Sequence, residues 1–299
     1  MISLLIVFIL GWLFTIQSDK WLTRLNQLLL QLVFLILVFL GANLASHPEI
    51  ADKAEDILKL IGAFMVAIIV SNILALVALD VIFAEKDRLI ENNEADIHEH
   101  FSGLLDTLKV ILSLAIGAGI GTLFDLNDEW LKAGSSGLLH VLLFLVGVQL
   151  RSSRIPLSQF FLNPLGLLVT VAVIGSTLLA AAFIGWLMGM PILKALAVSS
   201  GFGWYSLSGV LIAEKFGPIY GTVAFCNDVL REVIAFILIP TIIKKYPLTA
   251  IGVGGATTID FTLPMIQAQG GTRYVPIAIV SGFLLSVFVP VLIGLFSHF

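Results

Sequence analysis

Long apolar runs separated by short polar interruptions fill this chain from end to end. About 20 apolar residues in a helix suffice to cross a hydrocarbon core of about 30 Å. Spans are predicted over Ile2–Ile16, Leu28–Ala45, Ile61–Phe83, Leu104–Phe124, Leu138–Leu150, Leu167–Met188, Pro218–Ile243 and Tyr274–Phe296. The first is slightly short, with Trp12 or Trp21 placed to anchor its end at the interface. The fifth is short too, with room to extend through the preceding loop. The opening MISLLIVFILGWLFTI lacks a basic n-region and a small-residue cleavage site, so it reads as a retained helix. Residues 46–59 are mixed and predict a short amphipathic helix. Residues 84–103 carry six acids against two bases, together with His98 and His100, and read as a solvated loop. Asp106 and Lys109 are three apart and predict a pair near the membrane surface. GAGIG (117–121) permits either close helix packing or a break.

Two further apolar pieces break the pattern. One begins at Pro191 and is interrupted by SGFGWYSLSG (200–209); the other begins at Leu248 and is interrupted by TTIDFTLP (257–264). Glycine clusters permit irregular backbone, which at membrane depth is tolerated only where it lines a cavity or is buried in protein. The expected fold is therefore all-α and polytopic, with eight spans plus two re-entrant pieces, or ten spans. A repeat is also legible. GANLAS (41–46) matches GVQLRS (147–152), and AIIVSNILALVA (67–78) matches AVIGSTLLAAAF (172–183), at offsets of 106 and 105. LKVILSLAIGAGIG (108–121) resembles LKALAVSSGFGWYS (193–206) when the acidic loop is allowed as an insertion. Three crossings separate the matched segments, which makes this an inverted repeat, 1–124 against 138–299, of the kind that builds secondary transporters.

Composition agrees: 59% of residues are hydrophobic and 12% charged, against about 25% charged in soluble domains. The net charge of −4 gives no reason to expect nucleic acid. One cysteine, Cys226, excludes an intrachain disulfide, and in an apolar helix it reads as an inert buried thiol. Neither a metal-binding histidine pattern nor a Walker motif is present, so no metal or other cofactor is expected. With eight spans, Lys20, Arg24, Lys86, Arg88, Arg151, Arg154, Lys244, Lys245 and Arg273 fall on one side, nine against five. With ten spans the split weakens to eight against six. Either count puts the richer side in the cytoplasm and both termini outside.

The remaining charges lie within the apolar segments, where each costs about 2.5–3.5 kcal/mol on insertion scales. In the helix 218–243, Asn227, Asp228, Arg231 and Glu232 share one broad face. One arginine cannot neutralise two carboxylates, which leaves negative charge for a cation or proton. An Asp228–Arg231 ion pair that only fixes packing is the plain structural alternative. Asp260 follows a glycine cluster and Thr257 and Thr258, in a segment expected to be unwound with carbonyls, hydroxyls and the carboxylate facing inward; its structural alternative is an N-cap. The first break offers Gly201, Gly203 and Ser206 at a half-helix N-terminus suited to a carboxylate. Trp204 and Tyr205 are placed to cap a cation or to anchor the interface. This set permits an amino acid with a positive side chain without selecting it. The hydroxyls and carbonyls equally permit sodium coupling, and Asp228 with Asp260 would be the acid pair of an intramembrane enzyme. A homodimer is compatible with the sequence, which does not select it.

FLVGVQLR (144–151), SGFGWYSLSG (200–209), CNDVLREVIAF (226–236) and GATTIDFTLP (255–264) closely resemble the LysO family of bacterial lysine exporters. The resemblance covers essentially the whole chain and is strongest after residue 140. It implies export of L-lysine, and of toxic analogues such as thialysine, across the inner membrane, with both termini periplasmic. Two functionally important membrane-embedded acids of that family fall on Glu232, within LREVIA, and Asp260, within TTIDF. Cys226 stands where the family commonly has phenylalanine. Moving one net positive charge out against 100 mV costs about 2.3 kcal/mol, so lysine/proton antiport is the expected coupling.

Overall fold

In the computed structural model, residues 2–45, 53–83, 109, 112–124, 128–152 and 163–298 are described. The expected loop 84–103 and the Asp106 half of the Asp106–Lys109 pair lie outside them. The described residues form helices and no strand: α1 (Ile2–Trp12), α2 (Asp19–Ala45), α3 (Ala54–Ile82), α4 (Leu112–Leu123), α5 (Asp128–Ser152), α6 (Pro164–Leu187), α7 (Ile192–Ser199), α8 (Tyr205–Phe216), α9 (Pro218–Ile242), α10 (Pro247–Gly254), α11 (Leu263–Gly270) and α12 (Val275–Phe296). This is an all-α membrane protein. Four of the helices are long and apolar enough to cross a bilayer by length and composition alone. α9 has the length but carries Asp228, Arg231 and Glu232.

Several helices begin before the apolar run that predicts them. α2 takes in Asp19, Lys20 and Arg24, and the second half of the mixed 46–59 segment forms the first turns of α3. There Lys59 pairs with Glu55 at 2.7 Å, an i,i+4 contact on an exposed face. α1 is shorter than expected and ends at Trp12. α3 and α6 leave large apolar side chains exposed along their outer faces, among them Val66, Val70, Leu74 and Val81 on α3 and Val171, Leu179 and Trp186 on α6. Such stripes are stable against lipid, where apolar exposure carries no penalty.

Helices α1, α2, α4 and α5 pack through small residues. Gly117 and Gly121 of α4 lie directly on the backbone of α2 at Val38 and Ala42, and Gly147 of α5 lies on Phe8 and Trp12 of α1. Small residues let helices approach closely in a bilayer, where dispersion replaces hydrophobic driving force. GAGIG therefore serves packing, and α4 runs through it unbroken.

Each of the two broken pieces turns back on itself. In α7–α8 the reversal falls at Phe202 and Gly203, with φ of 50° and 98°. Only glycine adopts such values freely, and Phe202 is the single non-glycine residue with positive φ among the described residues. At the tip Gly201 faces Ser208; at the base the Lys194 ammonium lies 4.4 Å from the Tyr220 ring and 5.5 Å from that of Phe216. In α10–α11 the tip is a 3-10 turn, Gly255–Ile259, entered through Gly255 at φ 63°. Gly254 faces Thr262 there, and Gly270 returns to Ile243 at the base. Both bases are punctuated by proline and glycine: Gly217–Pro218 closes one hairpin, and Pro247 opens the other. The two tips touch, with the Ala256 N–H donating to Phe202 O at 2.9 Å.

α3 and α6 pack antiparallel. The Ser71 hydroxyl donates to Ser176 O, and Asn72 Nδ2 donates to the hydroxyls of Ser176 and Thr177, each at 3.0 Å. Further along, Leu76 and Val173 both meet Gly252.

Candidate functional site

α9 runs past both hairpin tips and presents opposite charges to them. Asp228 is buried, and its Oδ1 accepts from the Gly203 N–H at 2.7 Å. Its Oδ2 accepts from the Ser208 hydroxyl in a very short bond. The carboxylate thus sits at the N-terminal end of α8. Three residues on, Arg231 reaches the C-terminal end of α10. Nη2 donates to Gly252 O and to Asn72 Oδ1, both at 2.8 Å, and Nε donates to Val253 O at 3.1 Å. Negative charge at a helix N-terminus and positive charge at a C-terminus each stabilise by about 0.3–1 kcal/mol, more when partly buried. The two side chains therefore turn to different partners, and the expected alternative of a simple Asp228–Arg231 pair gives way to two charge–dipole clamps.

That geometry corrects one expectation about the first break. The N–H of Gly203 and the hydroxyl of Ser208, donors on which a substrate carboxylate would draw, are taken by Asp228. Gly201 packs directly on the Asp228 carboxylate and has no room for a side chain. Ser206 is buried in the first turn of α8. Tyr205 is buried as well, edge-on to Phe225 with ring centres 5.9 Å apart, in a cluster with Leu37, Leu40 and Val229. It packs as core, while Trp204 is half-buried at the N-cap position.

In the second tip, Thr257 and Thr258 are buried and close the turn on itself. Their hydroxyls donate to Gly254 O and Gly255 O at 2.8 Å, and that of Thr258 also lies 2.9 Å from Ala278 O on α12. The segment is unwound as expected, with its hydroxyls bonded within the turn. Asp260 is exposed, its Oδ1 accepting from the neighbouring Phe261 N–H at 2.7 Å. It is not the N-cap, a position held by Thr262 before α11. Glu232, by contrast, is buried on α9 at 1% exposure.

Sequence reasoning did not single out Asn72, Asp80, Ser199 or Ser208. Asn72 is fully buried on α3 and joins Arg231 to Ser176 and Thr177. Asp80, near the end of the same helix, accepts from the N–H groups of Leu248 and Thr249 at 2.9 and 2.8 Å and from the Thr249 hydroxyl at 2.6 Å. It thereby caps α10. A lone polar residue inside an apolar span was the available signal.

Residues 111–297 match the family model described as lysine exporter LysO. This chain belongs to the LysO family. It is 39% identical over 297 residues to the lysine exporter LysO of Escherichia coli, covering 99% of this chain and 98% of that protein. It is also 39% identical over 194 residues to a putative lysine exporter of Haemophilus influenzae, covering 64% of this chain and 98% of that one. No solved structure matches significantly. The family match takes in both hairpins and all of α9.

Proposed function

We propose that this chain exports L-lysine, and analogues such as thialysine, across the bacterial inner membrane in exchange for protons. The observation that carries the reading is near full-length similarity to a lysine exporter, joined to buried charges where two re-entrant tips meet α9. In this account Glu232 and Asp260 bind the proton, and lysine competes with it for the same carboxylates. One proton per lysine is electroneutral and draws on the pH gradient alone; further protons add the membrane potential. The test is lysine release by cells that lack their own exporter and are fed a lysine-containing dipeptide. Expression of this chain should speed release severalfold, and unchanged release would count against lysine as substrate.

The inverted repeat supplies the motion. Ser71 and Ser176, and Asn72 and Thr177, are 105 residues apart in the sequence match and meet each other in space. Residues that touch their own counterparts lie on a two-fold axis. Exchanging the two halves' conformations about such an axis would expose the site to either side in turn. The unbroken α4 has no hairpin to offer against α7–α8, so the match of 108–121 with 193–206 adds nothing to this support.

In this account the two hairpins are re-entrant and the chain crosses eight times, with the nine-residue basic side cytoplasmic and both termini periplasmic. Single-cysteine variants in a Cys226→Ser background test this. Lys194→Cys and Lys215→Cys should both react with an impermeant maleimide from outside, and Lys245→Cys only after permeabilisation. If the chain crossed ten times, Lys194 and Lys215 would label from opposite sides.

A further inference from the structure

Where α7 ends, a cavity of about 10 Å³ lies between α3, α7 and α9, with room for roughly one water-sized group. Met65, Ile68 and Ile69 of α3 form an apolar wall, and Ser199, Asn227 and Asp228 supply oxygen atoms opposite. Each of these three polar residues is 6% exposed. Asn227 Nδ2 donates to Val223 O at 3.0 Å, which fixes the amide so that Oδ1 is its remaining acceptor. Asn227 Oδ1 and Ser199 Oγ are buried with no hydrogen-bond partner. Buried polar atoms are nearly always satisfied, so two such atoms lining one void point to a guest.

The lining specifies that guest chemically. A carboxylate, an amide carbonyl and a hydroxyl give three oxygen acceptors, and a primary ammonium has three donors and no acceptor. Val198 and Ser199 are the last residues of α7, whose C-terminal dipole also favours positive charge. A bare sodium ion would call for more oxygens than these three side chains bring, and one water brings two donors to three acceptors. Arg231 borders the cavity, but its guanidinium is held by Asn72 and the carbonyls of α10. The apolar wall suits a methylene stem, and methionine adapts readily to an incoming chain.

We infer that this cavity is the subsite for the side-chain ammonium of the transported amino acid, with Asn227, Ser199 and Asp228 as its acceptors. The inference rests on the lysine-export reading and deepens it.

The test is equilibrium binding of radiolabelled L-lysine to purified protein in nanodiscs, for wild type, Asn227→Leu and Ser199→Ala. Loss of a charge-assisted acceptor should weaken lysine about tenfold or more in Asn227→Leu and severalfold in Ser199→Ala. The thermal midpoint of both without lysine should stay near wild type, because the acceptor atoms removed have no partner there and the one donor lost, Asn227 Nδ2, bonds only within its own helix. Cadaverine, which keeps the terminal ammonium, should compete in wild type, whereas norleucine, which lacks it, should not. Wild-type affinity in both folded variants would overturn the subsite while leaving lysine export standing. Sodium binding that falls in the same variants while lysine affinity holds would overturn it in favour of a metal ion. Wild type that neither binds nor exports lysine would overturn both readings.

Discussion

An Asp260→Asn variant is expected to insert and fold like the parent chain yet release lysine at about one tenth of its rate or less. Asp260 is exposed, and the hydrogen bond it accepts comes from its own neighbour, Phe261. Asparagine can accept the same bond, so the tip of α10–α11 should hold. What the variant lacks is a group that binds and releases a proton. The proposed role has this carboxylate face a path for water or ions, since a charge against lipid is costly. Matched expression and thermal midpoint, with lysine release lost in the dipeptide assay, is the predicted combination. Retained release would remove Asp260 from the coupling machinery.

The second large effect is structural. Arg231→Met should lower stability by about 3–5 kcal/mol, because it strands buried polar groups in an apolar setting. Gly252 O, Val253 O and Asn72 Oδ1 would each lose the guanidinium. In a chain of this size that corresponds to a fall in apparent melting temperature of roughly 10 °C. Hydrogen exchange should rise first in α10, the helix whose C-terminal end Arg231 holds. Arg231→Lys should recover only part of the loss, since an ammonium lacks the planar fork that reaches all three acceptors. A melting temperature like that of wild type in Arg231→Met would mean that the clamp contributes little.

The sequence made the two helix breaks readable and left the contacts between them obscure. Glycine, proline and hydroxyl clusters inside apolar runs conflict with simple spans, and the helices do break there, at Phe202–Gly203 and at Gly255–Ile259. Whether a broken piece crosses or returns was undecidable locally, because some 24 residues are long enough for either. Distant contacts, such as Lys194 on Tyr220 and Gly270 on Ile243, bring the two ends of each piece back together. Asn72 escaped notice for the same reason. One amide in an apolar span carries no mark of a partner 159 residues away.

The most direct test is lysine flux into inside-out proteoliposomes under an imposed pH gradient, without sodium, for wild type, Glu232→Gln and Asp260→Asn. In that orientation the lumen is the outside, so an acidic lumen should drive lysine in as protons leave. The account predicts wild-type uptake that grows with the gradient and reverses when it is inverted, and uptake near background in both variants. Uptake that ignores pH and follows sodium, or variants that respond to the gradient as wild type does, would contradict it.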